Sequence, residues 1–527
     1  MKDQIKEIYT LTREYRGLAG AGGLKDVARE LSEALVRRGY KVTVFLPRYG
    51  FLDPKEKGFK ETEISFSVDM DYTYEERREE VSLWEREIEG VRVFLIEANR
   101  YAEKLGVYTY TKEEEAKEPW KKKGSGHFDY FAMNILLQKT ALCAAVRLSE
   151  KPDIIHCHDG HTAVTPALAR EIMGFREYFR KTGFLITIHN AGLGYHQDVA
   201  DLPFAKANTG LPWMVINDSL HHNSFNPFIC GAHYAVINTV SEEYARELQE
   251  TDLDVHTGWL GHALKERGVK LYGITNGINP KDFDPTQPEK LGLPAGFDPA
   301  KGDLDGKKLC REELLRRIVQ GDLRVKVYGQ VKDQPDWPLL TAISRLTEQK
   351  GIDVLAEALR LLYEEDEEFL TVILGTGSPE IEDRLIALTR DFSGKIALLL
   401  GYDPALANLI YAAGDFFVIP SNYEPCGLTD FMAQLMGNLP IVRHTGGLVK
   451  VKEGFNGFVY VEQRPDELAK AIKRAFKVYR EDPDLRLQMI KQAIENIYEN
   501  YTWDKVRERY LELYSEALKM APAFKAD

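Results

Sequence analysis

A glycine-dense stretch near the N-terminus is the first part of the sequence that could do chemistry. Gly17, Gly20, Gly22 and Gly23 stand between a candidate strand and a candidate helix. The bare N–H groups of such a loop, with the dipole of the following helix, form a site for an anion such as phosphate. A tight turn with a close-packed helix explains the same glycines, and Asp26 in the first helical turn can simply complement the dipole. The sequence leaves both interpretations open.

Two permanent cations, Arg345 and Lys350, follow a candidate strand in the second half of the chain. Arginine presents a planar fork and lysine a point charge, so the two together could hold a diphosphate. Solvated surface side chains are the alternative. Gly375 and Gly377 follow the next strand directly and are a weak signal for a nucleotide-binding loop.

The segment 422–430 is the densest run of candidate functional residues. Glu424 precedes a proline, which predicts a non-helical backbone at that residue. The residues that follow would open a helix whose free N–H groups could bind an anion. This helix start is Gly427, Leu428 and Thr429, directly after Cys426, and a further glycine turn follows at Thr445, Gly446 and Gly447.

Three histidines and a carboxylate surround another candidate strand end. His156 and His158 alternate on one face of the strand, and His161 could reach round the turn that contains Asp159. A metal site is one interpretation, although no matched set of carboxylates supports it. Hydrogen-bonded histidines at a strand end are the other.

Apolar runs alternate with glycine turns and helical patterns along the chain. Nearly continuous apolar runs are typical of parallel strands covered on both faces. The candidate strands are 5–11, 42–46, 153–158, 184–189, 234–239, 271–275, 339–344, 369–374, 396–400, 416–419 and 441–442. This pattern predicts an α/β protein with two separate open sheets, whose ligands bind at the carboxyl ends of the strands.

Three stretches fall outside this pattern. Residues 52–125 are charged and weakly periodic, which indicates an insertion with mobile loops. Residues 285–302 are rich in Pro and Gly and are predicted to be a linker. The last 35 residues have a helical pattern. We therefore expect an N-terminal domain over 1–284, a C-terminal domain over 285–505 and a terminal helix over 506–527.

Composition excludes several classes of protein. The 527 residues include 69 Lys and Arg against 82 Asp and Glu, a net charge of −13, which argues against nucleic acid or an anionic membrane as the main partner. No apolar run is long enough to span a bilayer, and the N-terminus lacks the apolar region of a secretory signal. Five scattered cysteines, never in C-x-x-C, fit a reducing cytoplasm.

Ordered segments across nearly the whole chain resemble the starch and glycogen synthase family of retaining glycosyltransferases. The most specific pair is 344–351 with 424–429, which resembles S-R-L-T-x-Q-K-G and E-P-C-G-L-T. Residues 22–27 resemble the end of K-x-G-G-L-x-D-V, residues 156–161 resemble H-x-H-D-W-H, and 187–190 resemble T-x-H-N. The remaining matches are 239–241, 276–277, 375–377 and 445–448.

The resemblance implies a fold and a reaction. The fold is GT-B, in which two Rossmann-like doubly wound domains face a central cleft and a C-terminal helix returns to the N-terminal domain. The reaction transfers glucose from ADP-glucose or UDP-glucose to the 4-hydroxyl at the non-reducing end of an α-1,4-glucan, with retention. It needs no metal or cofactor, and the sugar nucleotide is a co-substrate. The expected partners are the sugar nucleotide and the α-glucan, and neither nucleic acid nor membrane is expected. A homo-oligomer is compatible with the resemblance.

The resemblance also assigns roles to residues. Arg345 and Lys350 would bind the departing diphosphate, Glu424 the hydroxyls of the donor sugar, and His189 would lie beside the transferred sugar. Asp159 would lie on the acceptor side. The other substrate-binding residues would be Gly22, Gly23, Asp26, Asn190, Asn276, Gly375, Gly377, Cys426, Gly427, Leu428, Thr429, Thr445 and Gly446.

Four positions depart from the family pattern. They are Gly20 for Lys, Gly160 for Trp, Asp430 for Gln and Lys450 for Asp. Gly20 removes a cation, for which Lys25 or Arg16 could compensate, and Gly160 is expected to open space near the acceptor. The acceptor and the transferred sugar are therefore less well defined by the resemblance than the nucleotide.

Two alternatives to a glucan synthase follow from these departures. One is a related retaining transferase with another donor sugar or a small acceptor. The other is a catalytically weak glucan-binding or regulatory protein, which the presence of Arg345, Lys350, Glu424 and His189 disfavours. A phosphorylase is also disfavoured, because the chain is short and shows no clear pyridoxal-lysine segment.

Overall fold

The computed structural model describes residues 5–332 and 334–521. The chain folds into two compact units, and the chain passes between them at 277/278 and at 502/503. The limits expected from the sequence were 284/285 and 505/506. Residues 522–527 of the expected terminal helix lie outside the described residues.

Unit 1 contains a nine-stranded sheet in the order β11-β10-β7-β6-β1-β2-β5-β4-β3. All neighbours pair in parallel except β4, which is antiparallel to both β3 and β5. A separate two-stranded ribbon joins β8 and β9. The strands are β1 (Glu7–Leu11), β2 (Lys41–Pro47), β3 (Lys60–Asp69), β4 (Arg78–Ile88), β5 (Val91–Glu97), β6 (Ile154–His158), β7 (Gly183–Ile188), β8 (Leu220–His221), β9 (Ser224–Phe225), β10 (Val236–Thr239) and β11 (Leu271–Gly273).

The helices of unit 1 that precede residue 277 cover the sheet or lie in its loops. They are α1 (Leu24–Arg37), α2 (Asn99–Ala102), α3 (Lys112–Lys117), α4 (Tyr130–Arg147), α5 (Thr165–Glu171), α6 (Met173–Arg176), α7 (Leu202–Thr209), α8 (Trp213–Asp218), α9 (Pro227–Ala232), α10 (Glu242–Glu250) and α11 (Leu260–Glu266). Helix α1 buries one face, with Leu24, Val27, Leu31 and Leu35 each at most 6% exposed. The helical spacing of these residues predicted this face correctly.

The stretch predicted as an insertion with mobile loops is instead part of the sheet. Strand β5 is almost entirely buried and pairs in parallel with β2, and β4 and β3 extend the same sheet by antiparallel pairing. Strand β3 alternates exposed residues with partly buried ones. One solvated face makes the sequences of β3 and β4 charged and only weakly periodic, so their pattern does not predict strands. The apolar run of β5 does fit a buried parallel strand, and its assignment to a mobile insertion is wrong.

Unit 2 contains a seven-stranded sheet in the order β12-β15-β14-β13-β16-β17-β18. Only β12 is antiparallel to its neighbour. The strands are β12 (Lys326–Val331), β13 (Leu339–Ile343), β14 (Leu370–Gly375), β15 (Lys395–Leu400), β16 (Phe416–Ile419), β17 (Leu439–Arg443) and β18 (Phe458–Tyr460). The helices are α12 (Pro288–Leu291), α13 (Asp305–Gln320), α14 (Ile352–Glu364), α15 (Pro379–Asp391), α16 (Pro404–Ala413), α17 (Thr429–Leu435), α18 (Pro465–Glu481) and α19 (Pro483–Asn500).

The stretch predicted as a linker belongs to the core of unit 2. Leu291, Leu293 and Phe297 are each at most 8% exposed and pack in one apolar cluster with α13 and α16. Pro and Gly form turns in this segment, and the apolar residues between those turns are buried against the core of unit 2. Composition alone therefore gave the wrong interpretation.

The last helix, α20 (Trp503–Met520), belongs to unit 1. It packs on β7, where a Cβ added to Gly183 would lie 2.8 Å from the backbone of Ala517. Trp503 donates from its indole N–H to the buried carboxylate of Glu30 on α1. Within the described ranges, none of the helices combines the length and apolar character needed to cross a bilayer.

Candidate functional site

A row of histidines lies at the carboxyl end of β6 and β7. His156 bonds Tyr514 (3.0 Å) and Thr187 (2.7 Å) through its two ring nitrogens, and His158 Nδ1 lies 2.9 Å from His189 Nε2. Burial lowers the pKa of His156 and of His189 to about 3, so both rings are neutral at pH 7. No metal-binding group of three or more His, Cys, Asp or Glu occurs in the described part of the chain. The histidines at this strand end are thus hydrogen-bonded to Tyr514, to Thr187 and to one another.

Asp159 connects this row to the backbone of the next strand end. Its Oδ1 accepts a hydrogen bond from the N–H of His189 at 2.7 Å, and its own φ is +58°. Burial raises the pKa of Asp159 to about 7, the N–H of His189 opposes this effect, and the nearby Glu14 carboxylate adds to it. The side chain is only 3% exposed, so a carboxylate is kept here at a cost in stability, as is common at functional sites.

Replacing Asp159 by Asn is therefore expected to stabilise the protein at pH 8 and not at pH 4. The folded-state pKa lies above that of the unfolded chain, so ionisation opposes folding from about pH 4 upward and does so fully above pH 7. The gain should reach roughly 1–4 kcal/mol at pH 8. Urea unfolding of both proteins across this pH range measures it. A variant that is equally or less stable at pH 8 would contradict the argument.

The first glycine loop holds a carboxylate of its own chain. Glu14 Oε2 accepts hydrogen bonds from the N–H groups of Ala21 (2.7 Å) and Gly22 (2.9 Å), while its Oε1 accepts one from the Tyr108 hydroxyl (2.7 Å). These amides belong to the loop predicted to bind phosphate, and here they are satisfied by Glu14. Sequence reasoning missed Glu14, because a single acidic residue three positions after a strand carries no local signal.

The two cations proposed to replace the missing lysine both pair with acidic residues near the loop. Lys25 Nζ lies 3.2 Å from Asp26 and donates to the carbonyl of Gly22 at 2.8 Å. Arg16 lies 2.8 Å from Glu30. A Cβ added to Gly20 would lie 2.4 Å from Cδ of Lys25, so the Lys25 side chain occupies the space beside Gly20. Of Lys25 and Arg16, Lys25 is therefore the one whose side chain lies where the side chain of the family lysine would begin.

The expectation that Gly160 opens space is wrong. A Cβ at this position would lie 2.7 Å from the carbonyl oxygen of His196 and 2.9 Å from that of Tyr195. The backbone of this neighbouring loop fills the volume in which a tryptophan side chain would begin. The smaller residue therefore allows a loop to approach rather than leaving a gap.

In unit 2, two of the predicted charged residues form a pair. Lys350 Nζ lies 2.6 Å from Glu424 Oε2, which also accepts a hydrogen bond from the Ser421 hydroxyl at 2.9 Å. Burial by itself would raise the pKa of Glu424, but the charge and hydrogen bond of Lys350 outweigh it, and the pKa lies below its usual value. Glu424 is thus an ionised acceptor held at the carboxyl end of β16.

Arg345 stands on the exposed turn after β13. Its Nη2 donates to Gln349 Oε1 at 3.1 Å. The turn after β14 packs against the turn that carries Arg345, since a Cβ added to Gly377 would lie 1.9 Å from the carbonyl oxygen of Leu346. The N–H of Gly377 donates to Glu382 at 2.9 Å. Gly375 and Gly377 therefore permit two turns to approach closely, and no phosphate contact is needed to explain them.

Two departures from the family pattern form one buried ion pair. Lys450 Nζ lies 3.1 Å from Asp430 Oδ1, and both side chains are at most 4% exposed. The Lys450 ammonium also donates hydrogen bonds to three backbone carbonyls, those of Cys426 (2.6 Å), Gly427 (2.6 Å) and Gly447 (2.8 Å). In a trans peptide the N–H points opposite to the C=O, so the N–H groups of Gly427 and Leu428 point away from Lys450. Lys450 thereby orients two of the predicted phosphate donors.

The remaining predicted residues lie at the strand ends but differ in their surroundings. Asn190 Oδ1 accepts from the N–H of Gly192 at 2.8 Å. Asn276 is 4% exposed, and its Oδ1 has no hydrogen-bond partner within residues 5–332 and 334–521. The residues that adjoin the Glu424 turn in unit 2 are Cys426, Gly427, Leu428, Thr429, Thr445 and Gly446. In unit 1, Gly22 and Gly23 immediately precede α1, and Asp26 lies in its first turn.

Comparison of the sequence with known protein families identifies the family to which the chain belongs. Residues 7–267 match the starch synthase catalytic domain family, and residues 329–496 match glycosyl transferases group 1. A glycogen synthase of Geobacter metallireducens is 30% identical over 95% of this chain and 94% of its own. The chain belongs to the glycogen and starch synthase family. It is a glycosyltransferase with the two Rossmann-like domains of the GT-B fold.

Other members of the family support the same conclusion. A glycogen synthase of Streptococcus pneumoniae is 31% identical over 94% of this chain and 96% of its own. The solved catalytic domain of starch synthase IV from Arabidopsis thaliana, bound to ADP and acarbose, matches with a TM-score of 0.79 at 26% identity. That match covers 98% of this chain and 99% of the solved one. Family membership thus extends over both units.

Proposed function

We propose that this transferase elongates an α-1,4-glucan, moving glucose from ADP-glucose or UDP-glucose to the 4-hydroxyl at the non-reducing end with retention. Relatives named glycogen synthase and a starch synthase bound to ADP and acarbose support it. The observation that carries the proposal is in unit 2. The Lys350–Glu424 pair lies beside a turn whose carbonyls are held by Lys450, so cation, carboxylate and backbone donors are gathered at one sheet edge.

In this proposal unit 2 binds the donor. The N–H groups of Gly427, Leu428 and Thr429 receive phosphate oxygens, as helix starts commonly do. Arg345 and Lys350 stabilise the diphosphate as it departs, when its charge is largest, so they lower the barrier more than they improve ground-state binding. Glu424 accepts hydrogen bonds from hydroxyls of the donor sugar.

Unit 1 contributes the groups near the transferred sugar and the acceptor. His189 is neutral and its backbone is held by Asp159, so its carbonyl or ring can stabilise positive charge developing on the sugar. No protein nucleophile is needed in a front-face displacement. The bond from C1 to the phosphate oxygen breaks, the bond from C1 to the acceptor O4 forms on the same face, and the acceptor proton passes to the leaving phosphate.

We further propose that the reaction needs no metal and takes place in the cytoplasm. His156 uses both ring nitrogens in hydrogen bonds to Tyr514 and Thr187, and His158 Nδ1 pairs with His189 Nε2, so these nitrogens are poorly placed as metal ligands. None of the five cysteines, all of which lie in the described residues, is joined in a disulfide, as expected in a reducing compartment.

A donor-by-acceptor panel tests the proposed function. ADP-glucose, UDP-glucose and other sugar nucleotides are each incubated with maltotriose, glycogen and free glucose, with and without EDTA. We expect longer glucans from a glucose donor and unchanged rates with EDTA. Another sugar transferred, or a small-molecule product in place of elongation, would favour the related-transferase alternative. Release of no nucleotide from any donor would favour a glucan-binding protein, and loss of activity with EDTA would contradict the metal-free reaction.

A further inference from the structure

A cavity of about 600 Å³ lies in unit 1 beside His161, outside the groups assigned above. Tyr108, Thr109, Gly126 and His127 form one wall, and the loop that contains Tyr195 forms another. An isolated antiparallel β-bridge between Thr109 and Gly126 joins the two ends of the loop that forms the first wall. The first wall of the cavity is therefore built by the part of the chain between β5 and α4.

The polar groups of the cavity suit a neutral ligand with hydroxyl groups. His127 is 2% exposed, and neither of its ring nitrogens has a hydrogen-bond partner in the described residues. Burial, followed by the charges of Arg13 and Lys104, lowers the pKa of His127 to about 4. The neutral ring offers one donor and one acceptor, which is what a sugar hydroxyl complements. His161 Nδ1 is buried and unpartnered in the same way.

The cavity does not offer a free cation for an anionic ligand. Arg13 is the one Lys or Arg among its described lining residues. Each of its three guanidinium nitrogens already donates to a neighbour: Tyr49 at 2.7 Å, Asn134 at 2.6 Å and the carbonyl of Val107 at 2.5 Å. Asp198, also in the lining, adds negative charge. Phosphate is thus disfavoured and a carbohydrate favoured.

A line of aromatic rings leads from this cavity to the surface. The ring of Tyr110 lies 4.9 Å from that of His127 and 5.7 Å from that of Trp120, which in turn lies 6.4 Å from Phe128. Trp120 is 57% exposed and Phe128 84% exposed. We call Tyr110, Trp120 and Phe128 the aromatic strip. Large exposed aromatic rings next to a polar cavity are typical of a binding surface, and sugar rings present apolar C–H faces to such rings.

The segment that carries the strip is held in place locally. Helix α3 begins with a complete capping box between Thr111 and Glu114. The ammonium of Lys121 lies over the rings of Tyr110 (5.8 Å) and Trp120 (5.3 Å). The rings are thus presented in a defined arrangement, which lowers the entropy lost when a chain binds.

We propose that the cavity and the aromatic strip bind the α-glucan acceptor several glucosyl residues away from its reacting end. This inference rests on the proposed function for the identity of the ligand. The hydroxyls of one glucosyl residue meet His127 in the cavity, and the residues that follow stack along Trp120 and Phe128. Long chains then bind more tightly than short ones, while donor binding is independent of the strip.

The test replaces both exposed rings at once, Trp120→Ala with Phe128→Ala. Two lost stacking contacts should raise the KM for maltoheptaose and for glycogen roughly 5- to 100-fold. The kcat with maltotriose and the KM for the donor should stay within about twofold, because the strip is beyond their reach. Tyr74→Ala is the matched control, since Tyr74 is 99% exposed but lies in the turn between β3 and β4, outside the strip. It should leave all constants unchanged.

Calorimetry with maltoheptaose alone separates this inference from the proposed reaction. Binding to the wild type that weakens in the double variant supports the strip even if no donor is used. An unchanged KM for long acceptors in the double variant, or an equal loss with Tyr74→Ala, would overturn it. So would a wild type that elongates glucans but binds maltoheptaose no more tightly than maltotriose.

Discussion

Replacing Arg345 by Ala should lower kcat by roughly 10²–10³-fold, a loss of about 3–4 kcal/mol in transition-state stabilisation. The KM for the donor should change much less, because the guanidinium is most useful when the phosphate oxygen becomes fully anionic. The melting temperature should not change, since the exposed Arg345 side chain makes one hydrogen bond in the described structure, to Gln349. Steady-state kinetics and thermal unfolding measure both quantities.

Two further variants make this prediction specific. Arg384→Ala removes another exposed arginine, from α15, and should have no effect on kcat. Arg345→Lys keeps the charge but loses the planar fork, so only part of the activity should return. A normal kcat for Arg345→Ala would mean that this side chain does not act on the leaving group.

Replacing Lys350 by Met should lower kcat by a similar factor and also reduce stability. Here the lost cation leaves Glu424, which is 8% exposed, without its closest partner. Removal of one member of a fully buried pair commonly costs about 3–5 kcal/mol, and the loss here should be smaller because the Lys350 side chain is 19% exposed. Kinetics and denaturant unfolding should therefore both change, in contrast to Arg345→Ala.

The double variant Lys350→Met with Glu424→Gln separates the two effects. A neutral amide at 424 no longer needs a counter-ion, so most of the stability should return. The activity of the double variant should fall well below that of Glu424→Gln alone, because the diphosphate then also lacks its ammonium. A double variant as active as Glu424→Gln alone would show that Lys350 acts only by keeping Glu424 in place.

Much of the fold could be predicted because it rests on buried parallel strands. The apolar runs at 42–46, 184–189 and 396–400 correspond to β2, β7 and β15, each within two residues at its ends. Strands β3, β4 and β12 could not be predicted in the same way. They are antiparallel and partly exposed, so their apolar signal is diluted by charged residues.

The candidate site divides in the same manner. Residues with a distinctive local pattern, such as Glu424 before Pro425, could be selected from the sequence. Glu14 could not, because it meets the glycine loop only through the fold. The pairing of Asp430 with Lys450 could not be predicted either. These two departures from the family pattern form an ion pair only because the fold brings the turn after β17 against α17.

The linkage formed on an acceptor is the most direct test of the central claim, which is transfer of glucose to a glucan end with retention. The protein is incubated with ADP-glucose or UDP-glucose carrying ¹³C at C1 of glucose, and with maltotriose. Nuclear magnetic resonance of the product and measurement of released nucleotide then follow the reaction. We predict maltotetraose with an α-1,4 linkage at the labelled carbon and one nucleoside diphosphate per glucose added. A β linkage, attachment at another hydroxyl, or label found only in free glucose would contradict the account.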